Sequence, residues 1–105
     1  MDQEKRLRIK AGTLITPEML RELEACSQEV IVFRRLWPNG LSLRLKNLKL
    51  AEAAGLDVWW FAVEILSRKG RWSEYNKYGT VHVKFQSLGD DYCRSRALWE
   101  IIKKR

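Results

Sequence analysis

The 105-residue chain is poor in the residues that build covalent or metal-held scaffolds: two cysteines, two prolines and one histidine. Cys26 and Cys93 are too few for a disulfide framework and point to a reducing, cytoplasmic setting. A metal site would have to gather His82 with Cys93 and Asp90 or Asp91, and no CxxC, HxxxH or HExxH spacing supports it. No GxxxxGK or GxGxxG is present to hold a phosphate. The longest apolar run, Val58 to Val63, is far shorter than the ~20 residues that cross a bilayer. No signal peptide opens the chain, because Met1-Asp2-Gln3-Glu4-Lys5-Arg6 leads into no apolar stretch. Acidic residues are also short: 13 Asp and Glu against 20 Lys and Arg leave a net charge of +7.

The hydrophobic fraction of 46% is ample for a core and excludes a disordered chain. The length suits one compact domain over 1–105, without repeat, linker or low-complexity segment. The charge excess sits at the two chain ends, while the middle is nearly neutral. A basic excess attracts polyanions or acidic protein surfaces through a long-range, salt-screened force, and it also serves plain solubility.

Periodicity supplies the elements. Leu7, Ile9 and Ala11 alternate with Arg6, Arg8 and Lys10, which predicts a half-buried strand over 5–11 with one basic face. Thr16-Pro17-Glu18 opens a helix with a cap, a proline at the first turn and an acid at the positive end. Met19, Leu23, Cys26, Val30, Phe33 and Trp37 then form one stripe, predicting a single helix over 17–36 that Pro38-Asn39-Gly40 ends. A helix over 43–54 follows, capped by Ser42 and closed by Gly55 in the left-handed region, although Leu41, Leu43 and Leu45 also alternate like a strand. Asp57 caps the next helix, 58–67, which Gly70 terminates. Trp72, Tyr75 and Tyr78 step by three between Gly70 and Gly79, a helical turn of undecided type. Val81, Val83 and Phe85 alternate with His82 and Lys84, predicting a second strand over 80–86. A last helix, 91–103, has Asp90 and Asp91 at its positive end and Lys103, Lys104 and Arg105 at its negative end. The expected fold class is α+β: three to four helices with a short antiparallel sheet that pairs the N-terminal strand with 80–86.

Little in this pattern points to catalysis. Cys26 lies on the core stripe, where a thiol is a small hydrophobe. Cys93 falls in the first turn of the last helix, and with His82 it would make a nucleophile and base, but such thiols are more often structural. Asp90-Asp91 reads as a cap. The chain therefore reads as a non-enzyme without cofactor or metal.

Ala51-Glu52-Ala53-Ala54-Gly55-Leu56, followed by Phe61 and Ile65, resembles a helix-turn-helix over about 43–68. The resemblance implies two closely crossing helices. A major-groove reader needs a basic outer face, whereas Val58–Leu66 is apolar almost all round with Asp57 and Glu64 beside it, so the pair reads as a packing motif. The longer pattern Ala25-Cys26, Val30, Phe33-Arg34, Trp37-Pro38-Asn39-Gly40, Asn47, Ala54-Gly55-Leu56-Asp57 and Trp60 is similar to small uncharacterised bacterial and phage proteins. That resemblance implies a phage or accessory-gene product, a class in which small proteins block host defence or regulatory proteins.

Three readings follow. The first is a nucleic-acid-binding module whose surface is the basic sheet face, Arg6, Arg8, Lys10, His82 and Lys84, with Trp72, Tyr75, Lys77 and Tyr78 nearby for stacking and charge. The second is an anti-CRISPR-like inhibitor that sets the same face, or an apolar patch around Trp59, against an acidic host protein. The third is a structural subunit that homodimerises through its middle helices.

Overall fold

The computed structural model describes Arg6 and residues 8–67 and 72–105. Among them the chain is mostly helical, with six helices and one two-stranded antiparallel sheet. The helices are α1 (Pro17–Glu22), α2 (Ser27–Leu36), α3 (Leu45–Ala53), α4 (Val58–Leu66), α5 (Trp72–Ser87) and α6 (Cys93–Ile102). The α+β class holds, but the helices outnumber the expected three to four. No helix among the described residues is long and apolar enough to cross a membrane.

Neither expected strand forms. Arg6 is helical, Arg8 lies in a turn and Ile9 is buried in the core; Lys5 and Leu7 of that expected strand lie outside the described residues. The 80–86 segment is the second half of α5. Its alternation competes with a helical series, Tyr75, Tyr78, His82 and Phe85 at steps of three, four and three, and the helical series wins because it faces α6 and α4. The sheet instead joins β1 (Leu14–Ile15) to β2 (Leu41–Ser42), in the register Leu14↔Ser42 and Ile15↔Leu41. Gly40 turns into it at φ 97°; a Cβ there would lie 2.8 Å from the Ile15 carbonyl oxygen.

The predicted helix over 17–36 is two. Thr16 Oγ1 accepts from Met19 N and Pro17 sits in the first turn, as expected. The chain then breaks at Glu24, which takes φ 67°. The Glu24 amide donates to Arg21 O and the Ala25 amide to Leu20 O, the paired bonds that satisfy a helix's last carbonyls. The same two bonds close α3 at Gly55 and Leu56, and α5 at Gly89 and Asp90. After the break Cys26 is exposed rather than on the core stripe, and it precedes α2 without a side-chain cap. At the start of α3 the sequence-assigned cap Ser42 is a strand residue; its carbonyl accepts from Asn47 Nδ2 and Arg44 precedes the helix. Asp57 caps α4 as read, accepting from Trp60 N at 2.9 Å.

The core joins Val58, Phe61, Ala62, Ile65 and Leu66 of α4 to Ala97, Leu98, Ile101 and Ile102 of α6, with Tyr78 of α5 and Val30 and Phe33 of α2. Each fully buried aliphatic side chain contributes about 1.5–3 kcal/mol of transfer free energy. α4 is not buried all round: Trp59 is 37% exposed and Trp60 only partly buried. α5 and α6 pack against each other, and the chain turns between them through Gly89.

Candidate nucleic-acid interface

α5 carries six of the nine sequence-assigned residues, on different sides. Tyr78 faces the core, donates to Arg94 O at 3.5 Å, and burial pushes its phenol far above the usual tyrosine value. It is therefore a packing residue, not a stacking platform. His82 is half-buried and turned toward α6, its Nε2 3.4 Å from Cys93 Sγ. Trp59 of α4 packs edge-on against the His82 ring, with centroids 4.9 Å apart. Burial first, then the Arg94 charge, hold His82 below the ordinary histidine value, so it is not a surface cation at neutral pH.

Of the other four α5 residues, Trp72, Lys77 and Lys84 are exposed, and Tyr75 packs half-buried against the core. Trp72 is 51% exposed and meets half-buried Tyr75 edge-on at 6.1 Å. Lys77 and Lys84 are exposed and seven positions apart, which on a helix is two turns, about 10 Å along one side. Neither has a carboxylate within ion-pair distance among the described residues. The Lys77 ammonium lies beside Lys104 and lowers the affinity of Lys104 for its proton. Two neighbouring cations favour an anion, a demand that Glu100 near Lys104 meets in part.

An open groove of about 330 Å³ lies along α5; Trp59, Tyr75, Tyr78, Gly79 and Val83 line it, and neither lysine does. Gly79 forms its floor; a Cβ there would meet nothing within 4 Å. Val83 on the rim is 58% exposed. The sequence reading placed Val83 inward on a strand and Trp59 in a separate patch, because a period of two hides what a helix brings together. A second opening of about 70 Å³ is lined by Phe33, Leu48, Val58 and Trp60, with Glu29 and Asp57 and no cation.

The three N-terminal residues do not form a sheet face with α5. Arg6 is half-buried and pairs with Glu64 at 3.6 Å. Arg8 and Lys10 are exposed. Their segment nevertheless lies at the start of α5: the Arg105 guanidinium donates to the carbonyls of Arg6 and Ile9 and makes two bonds to Glu74. Asp90 accepts from Tyr92 N and from Arg96 Nε, and no group of three metal-ligating side chains occurs among the described residues.

No protein-family description, curated protein or solved structure matches the chain.

Proposed function

We propose that this protein is a small basic module, without catalytic activity, that binds unpaired nucleic acid along α5. One observation carries the reading: the same helix offers an open aromatic groove and two exposed lysines that form no ion pair among the described residues. Aromatic rings accept any base face, and ammonium groups two turns apart follow a phosphate backbone. The net charge of +7 adds long-range attraction. The helix replaces the expected basic sheet as the binding surface, with Trp59, Trp72 and Tyr75 for stacking and Lys77, Lys84 and Lys104 for phosphate.

The test is fluorescence anisotropy with a labelled single-stranded oligonucleotide across a salt series. Lys77→Glu with Lys84→Glu weakens binding and reduces the slope of log affinity against log salt by about 1.4, two phosphate contacts at ~0.7 each. Unchanged affinity and slope would remove α5 as the site.

Exposed apolar side chains favour a second reading. Val83 and the 71%-exposed Leu88 project from α5 and its end, area that a protein partner would cover. That fits an inhibitor of a host defence or regulatory protein, in keeping with the phage-type resemblance. A pull-down from host lysate with and without nuclease separates the two: a stoichiometric protein retained under nuclease favours the inhibitor.

A further inference from the structure

We infer that Cys93 is a modification site: a thiol that His82, acting as its base, opens to two-electron oxidation by a small hydroperoxide, giving a sulfenic acid. The two residues lie eleven positions apart, on facing helices, and Sγ and Nε2 meet at 3.4 Å. That is the reach a base needs to take a thiol proton. Cys93 is also the first residue of α6, which holds its side chain opposite His82 of α5.

The surroundings suit the role. His82 is held below its ordinary value, so its ring is neutral at pH 7 and keeps a lone pair for the proton. The charged and titratable groups around the pair are Glu52 of α3, Asp57 before α4, Tyr78 of α5 and Arg94 of α6. Cys93 is buried, with 7% of its surface exposed, so the oxidant must be a small one. Cys26 is an internal control: exposed, and without a histidine, since His82 is the only one in the chain.

In the reaction His82 Nε2 takes the Sγ proton as sulfur attacks one peroxide oxygen. The S–O bond forms and the O–O bond breaks. The departing hydroxide recovers the proton from the imidazolium and leaves as water. Sulfur loses two electrons and the peroxide gains two, so thiol and hydrogen peroxide become sulfenic acid and water.

The experiment exposes the native protein to a pulse of hydrogen peroxide and quenches it into urea containing catalase and dimedone, which traps sulfenic acids. Peptide mass spectrometry then follows both cysteines. Cys93 is expected to acquire the adduct at least about tenfold faster than Cys26, and His82→Gln to remove about that factor from Cys93 alone. Equal rates at the two cysteines in the native wild type overturn the proposal whatever the variant does. So does a folded His82→Gln protein whose Cys93 reacts at the wild-type rate; His82→Asn replaces it where the glutamine variant fails to fold.

Discussion

Glu52 Oε1 accepts hydrogen bonds from both the backbone amide (3.2 Å) and the hydroxyl (2.7 Å) of Ser95, 43 positions away. Ser95 is fully buried in the first turn of α6, and Tyr92, which precedes that helix, offers no side-chain cap. A carboxylate from α3 therefore does from a distance what a capping residue does locally, and its charge complements the helix dipole. Glu52→Ala should cost about 1–3 kcal/mol, because a buried amide and hydroxyl lose their acceptor. Ser95→Ala should cost less, since the amide keeps its bond. Urea unfolding of both variants checks the order, and a wild-type midpoint for Glu52→Ala would show that the cap is energetically idle.

The neighbouring aromatics of α4 should part company. An all-round buried α4 would make Trp60→Ala cost about 3–5 kcal/mol. Both line the apolar opening, but Phe61 is buried and Trp60 only partly so. Phe61→Ala is expected to show that full cost and Trp60→Ala clearly less, measured as denaturant midpoints at equal m-values.

Glu24 pays for its left-handed backbone. A non-glycine residue there costs about 1–2 kcal/mol, part of which a glycine returns as unfolded-chain entropy. Glu24→Gly should therefore raise stability by about 0.5–1 kcal/mol, seen as a higher melting temperature. A lower one would mean that the Glu24 side chain contributes more than its backbone costs.

His82 links stability to pH. Its folded value lies below the ordinary 6.5, mainly through burial. The unfolded chain therefore binds the proton more readily. The resulting stabilisation is full above about pH 6.5 and is lost as pH falls through the folded value. Urea midpoints for wild type should drop between pH 7.5 and 5.5, and His82→Gln should flatten that part of the curve. An equal drop in both proteins would assign the effect to other groups.

Local signals were legible where a residue type has one dominant use. Thr16-Pro17, Gly55 and Asp57 each do what their chemistry suggests, and the apolar run of α4 lies at the core. The break at Glu24 carries no such signal: a glutamate occupies a position that glycine holds in the matching closures at Gly55 and Gly89, and the hydrophobic stripe runs on through it. In 80–86, alternating valines outweighed the longer helical series because Gly79 looked like a boundary, whereas it lies inside α5 as the floor of the groove. How the candidate residues group was not legible. Which of them face outward depends on α4 and α6, a tertiary matter that no short window contains.

The bonds of Arg105 have a consequence for synthesis. Its guanidinium joins the carbonyls of Arg6, Ile9 and Ile65 to the carboxylate of Glu74, over separations of up to 99 positions. A ribosome makes the acceptors first and the donor long afterwards. Until Arg105 emerges, the first turn of α5 lacks the Arg105 bridge to the N-terminal segment, and the Tyr75 end of the groove is held less firmly. A nascent chain stalled before that residue would thus be cut by proteases near the start of α5, while the β1–β2 pairing, made earlier, would already resist.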